Sequence, residues 1–211
     1  VDELVSRKYN VTIADITPPQ KNINFISCDI LNSQDLENVF DRNYDIVFNL
    51  AGFANLDQAV KEPIKTMELN LISNMKIIES CISNKIKKYV YASSAYAMSE
   101  KGSFYGISKL ASEKSIEEYN KKYNLDFVII RYGSVYSEKE FNNNYIYELV
   151  KKAVTENKIK HFGDGEEFRE YIHAEDASKL SVDIIEQDTY TNKHVILTGS
   201  QGTKRKDLFL S

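Results

Sequence analysis

Short β-branched and aromatic runs alternate along this chain with longer stretches of helical period, and no single motif constrains the fold as much as that alternation. "YNVTIADI", "YDIVFNLAG", "KKYVYASSA" and "LDFVIIRYGSVY" read as strands, and residues 33–42, 57–84, 104–123 and 144–157 read as helices. Strands separated by helices of that length are joined by crossovers, which leaves them parallel in one sheet. Their apolar side chains fall on both faces, as they do where helices cover each side. The pattern therefore predicts an α/β fold built on a doubly wound, mostly parallel sheet. After residue 158 it changes: "KIKHFGDGEEFREYIHAEDASKLSVDII" reads as a short strand, a Gly-Asp-Gly turn, a charged loop and a helix, followed by a strand "KHVILTG". Residues 1–158 are read as the main domain, and 159–211 as part of a smaller segment over the carboxyl end of the sheet.

Composition excludes several classes of function. The 211 residues are 42% hydrophobic and 27% charged with a net charge of −4, enough for one sizeable core and without the basic excess of a nucleic-acid binder. The longest apolar stretches, such as "YDIVFNLAGFA" and "DFVIIRYG", fall far short of the ~20 residues of a membrane span. The first residues also lack the layout of a signal peptide, so a cytoplasmic protein with no membrane partner is expected. Cys28 and Cys81 stand far apart with no C-x-x-C, and His161, His173 and His194 are scattered. Neither a disulfide framework nor a metal site is expected from that spacing.

Ligands of open α/β sheets bind outside the carboxyl ends of the strands, so the residues there matter most. Asp15 ends the first run; it can accept hydrogen bonds from ribose hydroxyls and repel a 2′-phosphate, favouring NAD over NADP, or it can simply close a turn. Asp29 in "SCDI" can meet an adenine amino group with Ile30 packed on the base, or begin a turn. In "NLAG", Leu50 precedes small Ala51 and Gly52, which let the backbone approach a flat ligand, or merely turn the strand into a loop. "ASSA" places Ser93 and Ser94 at the tip of the next run, where a serine hydroxyl can bridge a substrate oxygen and a phenol.

That phenol is Tyr105, four positions before Lys109 in "SFYGISKLASEK". Positions i and i+4 share a helix face, so the two side chains can meet. A cation beside tyrosine favours phenolate and lowers a pKa normally near ~10 by roughly 1–3 units, toward the range of a useful general base. In a lysine-rich chain with 14 tyrosines the pair alone has little weight, and the order of the other motifs decides.

Taken in order, "CDI" at 28–30, "NLAG" at 49–52, "YASS" at 91–94, "YGISK" at 105–109, "RYGSVY" at 131–136 and "GDGEEFREYIHAEDAS" at 163–178 make the chain resemble the extended short-chain dehydrogenase/reductase family, the NAD-dependent nucleotide-sugar epimerases and dehydratases. The resemblance implies a Rossmann-like dinucleotide-binding domain and a catalytic set of Ser94, Tyr105 and Lys109, with Lys109 lowering the phenol pKa and holding the nicotinamide ribose. By the same resemblance NAD would be held by Asp15, Asp29, Ile30, Leu50, Ala51, Gly52, Asn70 and Tyr132, besides Tyr105 and Lys109. A nucleotide-sugar substrate would meet Ser94, Asn144 and Arg169, the last gripping its diphosphate. A homodimer through helices 57–84 and 104–123 is also implied.

Departures from the family pattern narrow the reaction. Dehydratases of the family place an Asp-Glu pair after the active-site hydroxyl residue, whereas Ala95 and Tyr96 follow Ser94. This favours epimerisation of a nucleotide-diphosphate sugar through transient oxidation to a keto-sugar, over dehydration, keto-sugar reduction or a non-catalytic NAD-binding role. Met98 and Ser99 replace the usual Tyr-Gly, Ser134 replaces a frequent Asn, and the stretch from Ser94 to Tyr105 is short. The family's first strand and G-x-x-G-x-x-G loop do not occur in these residues, which are read as the interior of a longer protein. Alone, they are expected to bind NAD poorly and to turn over little.

Overall fold

The computed structural model describes residues 1–138, 145–159 and 163–209. Along them the strands are β1 (Thr12–Asp15), β2 (Asn24–Ser27), β3 (Ile46–Asn49), β4 (Lys88–Ser94), β5 (Asp126–Tyr132), β6 (Ser134–Tyr136), β7 (Phe168–His173), β8 (Lys193–Leu197) and β9 (Gly202–Lys204). The helices are α1 (Asp2–Ser6), α2 (Ser33–Phe40), α3 (Leu56–Lys61), α4 (Pro63–Met67), α5 (Ser73–Ser83), α6 (Ser103–Tyr123), α7 (Tyr145–Glu156), α8 (Ala174–Glu186) and α9 (Arg205–Leu208). They form two compact units, Val1–Arg131 with Val182–Val195, and Tyr132–Ser181 with Ile196–Ser211.

The first unit is the doubly wound α/β layer. β1 and β2 pair in parallel with Asp15 opposite Ser27, and β3, β4, β5 and β8 form a second sheet in that order, β3 parallel to β4. Both central strands are buried on both faces. Tyr89 and Tyr91 of β4 and Phe127 and Ile129 of β5 point into a core that also holds Leu36, Val39 and Phe40 of α2, Ile77, Ile78 and Cys81 of α5, and Ile116 of α6. Their sequence neighbours Val90, Val128 and Ile130 point the other way and are equally buried. Both thiols, Cys28 and Cys81, are unpaired and buried.

The helix expected over 57–84 is interrupted twice. Glu62 leaves helical geometry (φ −125°, ψ 59°) because Pro63 disfavours the α region for the residue before it, and Pro63 then opens α4. Glu68–Ile72 next winds as a π turn before α5 resumes. Beyond it, buried Asn74 accepts from Tyr89 Oη at 2.6 Å and from Asn49 Nδ2 at 3.1 Å, while Asn49 Nδ2 also donates to Tyr89 Oη at 2.8 Å. This triad fixes the carboxyl end of β3.

In the second unit β7 is the middle strand, parallel to β6 and antiparallel to β9, with Arg169 opposite Thr203. "FREYIH" is therefore a strand and not the expected charged loop. Its burial alternates, with Phe168 and Glu170 exposed and Arg169 and Tyr171 half-buried, a period of two that its charged residues obscure. The Gly-Asp-Gly turn is present, closed by Glu166 N–H donating to Asp164 at 3.0 Å. Because β6 pairs with β7, the chain enters the second unit at Tyr132; α8 and β8 then cross back and forth. The two compact units divide at 131/132, 181/182 and 195/196. The short strand expected near 158–162 lies partly outside the described residues, as Asn144 does wholly. Among the described residues no helix is long and apolar enough to cross a membrane.

Replacing Asn74 with alanine strands the Tyr89 hydroxyl and one Asn49 donor in a fully buried place. Loss of about 1–3 kcal/mol of stability is expected in urea titration; an unchanged midpoint would mean that water reaches the site.

Candidate active site

Helix α6 carries the candidate chemistry on an unusually polar buried face: Tyr105, Ser108, Lys109, Ser112 and Glu113 are all buried. Lys109 is only 5% exposed. A buried ammonium needs acceptors, and its Nζ donates to the Ala92 carbonyl at 2.7 Å while lying 4.7 Å from the Tyr91 ring centre and 5.9 Å from that of Tyr105. The helix lies this closely against the turn that follows β4 because Gly106 has no side chain. A Cβ there would stand 2.6 Å from the Tyr96 carbonyl oxygen.

Ser94 closes β4 and starts a 3-10 turn over Ala95–Met98, accepting from Tyr96 N–H at 3.2 Å. The Tyr105 phenol comes near enough to the Ser94 hydroxyl for that group to draw its pKa down. Tyr96 meets the Tyr105 ring edge-on, with centroids 6.4 Å apart at 71°. Ser103, just ahead of Tyr105, has φ 46° and ψ −145°, a conformation that costs a residue other than glycine of order 1–3 kcal/mol. The structure thus brings Ser94, Tyr105 and Lys109 together.

Electrostatics depart from the sequence-based expectation. Burial pushes the Tyr105 phenol above its ordinary range, the Ser94 hydroxyl pulls it back in part, and Tyr96 raises it further. The Lys109 ammonium donates to the Ala92 carbonyl and stands 5.9 Å from the Tyr105 ring centre, and burial is the largest influence on the phenol. Burial also pulls Lys109 down to about 8, with Glu113 opposing that fall. As placed, the pair is a neutral phenol beside a lysine that loses its proton in mildly alkaline solution.

Gly52 and Asn70 lie beside the same ammonium. A Cβ on Gly52 (φ 150°) would be 3.6 Å from Lys109 Nζ and 2.7 Å from Asn70 Oδ1. Asn70, carried by the π turn, accepts from Phe53 N–H at 2.6 Å and donates to the Phe53 carbonyl at 3.1 Å and to Ser108 Oγ at 2.9 Å. Its amide is occupied in holding the loop after β3. Leu50, Ala51 and Gly52 on that loop are exposed, as is Asp15 at the end of β1. One Asp15 oxygen accepts Thr17 N–H at 2.9 Å, and one Asp29 oxygen accepts Leu31 N–H at 2.9 Å. The turn readings of both aspartates therefore hold for one oxygen each. Ile30 is half-buried against the core. An open acidic strand end, an exposed apolar loop and a bare Cα at Gly52 fit a flat dinucleotide such as NAD; the residues present include no glycine loop for its pyrophosphate.

Tyr132 and Arg169 belong to the second unit. Tyr132 Oη is hydrogen-bonded with Ser181 Oγ at 2.7 Å, and Arg169 is half-buried in β7. The neighbouring glutamates take other cations: Glu166 pairs with Lys204 at 2.8 Å and with Lys206, and Glu167 with Arg205 at 3.8 Å. A cavity of about 650 Å³ in the first unit lies elsewhere, lined by Met98, Leu110, Lys114, Glu117, Arg131 and His194 among others, and by neither Tyr105 nor Lys109. Sequence reasoning missed Glu113, whose burial among charges no helical pattern signals, and the π turn.

Gly52→Ala puts a methyl group against Asn70 and requires strained backbone. It is expected to cost about 1–3 kcal/mol in urea titration and to weaken NADH binding followed by fluorescence; a variant equal to the parent in both would show that the loop gives way freely.

Comparison with known proteins finds similar sequences and similar folds. The chain is 26% identical over 205 residues to a putative UDP-glucose 4-epimerase of Methanocaldococcus jannaschii, covering 86% of this chain and 67% of that protein. It is 26% identical over 180 residues to a dTDP-D-glucose 4,6-dehydratase of Dictyostelium discoideum, covering 74% and 42%. Among solved structures, a UDP-glucose 4-epimerase from Thermotoga maritima crystallised with UDP-glucose superimposes with a TM-score of 0.89 at 24% identity, over 99% of this chain and 75% of that one. A UDP-glucuronic acid 4-epimerase from Bacillus cereus in complex with NAD superimposes with a TM-score of 0.85 at 22% identity, over 98% and 75%. At those identities the superpositions establish the fold. The family model for NAD dependent epimerases and dehydratases matches residues 1–199, and the chain belongs to the NAD dependent epimerase/dehydratase family.

Proposed function

We propose that this chain carries the proton-handling side of an NAD-dependent epimerase acting on a nucleotide-diphosphate sugar. The observation that carries the reading is the buried cluster of Ser94, Tyr105 and Lys109, with an aromatic ring in place of carboxylates beside the phenol. The 3-10 turn after Ser94 offers Ala95 and Tyr96, so it sets no acid–base pair for removing water next to Tyr105. NAD, when bound, supplies the hydride acceptor and donor. Tyr105 takes the proton of the reacting sugar hydroxyl and returns it after the carbonyl has been reduced from its other face. Ser94 holds that oxygen in line with the phenol. Lys109, in its ammonium form, favours phenolate once its charge is turned toward the phenol oxygen.

The resemblance of "FREYIHAED" to the family's segment supports assigning Arg169 to the diphosphate, where a planar fork of donors suits two phosphate oxygens. The exposed phenol-independent face of the helices supports a homodimer. Ile64 of α4 is 73% exposed and Ile107 of α6 is 56% exposed, and Phe104 and Leu110 add to the same helix.

The direct test incubates the full-length protein with NAD and UDP-, GDP- or dTDP-sugars. An epimer should form without net accumulation of NADH; net NADH would indicate a dehydrogenase, and a dehydrated keto-sugar a dehydratase. Tyr105→Phe is expected to abolish turnover and leave sugar-nucleotide binding nearly intact, and comparable activity in that variant would remove the proposed acid/base. Arg169→Ala should weaken binding by roughly 1.5–3 kcal/mol, the range for hydrogen bonds to charged groups, and an equal dissociation constant would exclude that role. Ile107→Glu should yield monomers by light scattering; a persistent dimer would place the interface elsewhere.

A further inference from the structure

Glu113 lies one turn beyond Lys109 and two beyond Tyr105 on the same face of α6, and it is 0% exposed. A carboxylate so placed must be matched by donors and cations. Ser93 Oγ donates to its Oε1 at 2.5 Å, Arg131 Nε donates to Oε1 at 2.9 Å and Arg131 Nη2 to Oε2 at 2.6 Å. His194 Nδ1 stands 3.5 Å from Oε2. One side chain therefore joins the helix to β4 through Ser93 and to β5 through Arg131, with His194 of β8 standing close by. Ser93 is the residue before Ser94, so the same contact sets the height of the candidate catalytic serine relative to the phenol.

We propose that Glu113 is a positioning residue for the Ser94, Tyr105 and Lys109 set, holding α6 in register with the end of β4 and supplying the negative charge that keeps the buried Lys109 an ammonium. The inference rests on the proposed reading of that set as the active site. Lys109 faces the Tyr91 ring and the Ala92 carbonyl of β4, Tyr105 and Glu113 of its own helix, and, with Gly52 between them, the uncharged Asn70 amide. Glu113 faces Ser93, Arg131 and His194, and at the solvent side Glu117 pairs with His194 at 2.9 Å and with Lys114 at 2.9 Å. Among these, Glu113 is the buried anion of the cluster. Glu113 stands at i+4 from Lys109 on the same buried face, one helical turn away, and without its charge the ammonium loses that buried anion. Burial already draws Lys109 down and Glu113 holds it up, in keeping with this arrangement.

Two variants separate the charge from the tie. Glu113→Gln keeps the shape and removes the charge. Lysine side-chain NMR on labelled protein should then find the Lys109 midpoint, about 8 in the parent, lower by roughly one unit or more, the scale set by a nearby opposite charge. The alkaline limb of kcat should move the same way, with KM for the sugar nucleotide within about twofold, since a group acting only on the reacting residues leaves ground-state binding alone. Ser93→Ala keeps the charge and removes the tie, and it loses too little to unfold the chain. Its kcat should fall roughly ten- to a hundredfold, the scale of a small misplacement of reacting groups, with the Lys109 midpoint unchanged. A Glu113→Gln protein of lower melting temperature whose midpoint and alkaline limb stay put would reduce Glu113 to a brace and overturn the proposal. So would a Ser93→Ala protein of full kcat. Turnover retained by Tyr105→Phe would instead defeat the active-site reading, and the NMR midpoint, which needs no turnover, would still decide on Glu113.

Discussion

A lysine ammonium held out of water at the end of a strand dictates much of the first unit. Lys109 cannot be buried on α6 without oxygen and negative charge within reach, and the structure supplies the Ala92 carbonyl, two aromatic faces and, one turn on, Glu113. Those partners sit on β4 and on the helix itself, so the helix must lie hard against the strand and the turn that follows it. Gly106, and the small buried Ser108 and Ser112, are what allow it. Once the helix is seated, Tyr105 falls beside Ser94.

The same requirement explains which parts of the molecule were legible in the sequence. Apolar runs such as "YDIVFNL" announce strands because a sheet covered on both faces has nowhere to put polar side chains. The loop "NLAG" and the pair Tyr105 and Lys109 were legible because each rests on a local rule, a small residue where backbone approaches a ligand and a spacing of four on a helix. Glu113 obeys the opposite logic. In a helix rich in Lys and Glu it looks like one more solvated charge, and only neighbours on three separate strands, distant in sequence, bury it. "FREYIH" was misread for a related reason: its charged residues hide a period of two that becomes visible only when β6 and β9 flank it. The direction of the Tyr105 shift was equally out of reach, since spacing fixes that a lysine is near but not how deeply the phenol is buried.

Two pieces of hydrogen-bonded sheet, β1 with β2 and β3 with β4, β5 and β8, belong to the first unit, and the residues at their carboxyl ends differ in exposure. Asp15 and the loop after β3 present open surface, whereas Ser94, Tyr105 and Lys109 are closed in. That contrast suits a cofactor laid along the edge with its reactive end brought to a dry, fixed cluster of proton-transfer groups. The chain spans between 42% and 67% of the length of the two curated relatives described above.

The π turn at Glu68–Ile72 carries a consequence for how this segment can vary. It fits one residue more than an α-helical turn of the same height: Asn70 within it is aimed at Phe53 and Ser108, and Asn74 beyond it at Tyr89. Removing that residue would let the turn close as an ordinary α turn with the helix beyond it nearly in phase, so the hold on Tyr89 survives a one-residue deletion here and the aim of Asn70 does not. Removal of a second residue, with no surplus left to absorb it, would rotate everything downstream by about 100°.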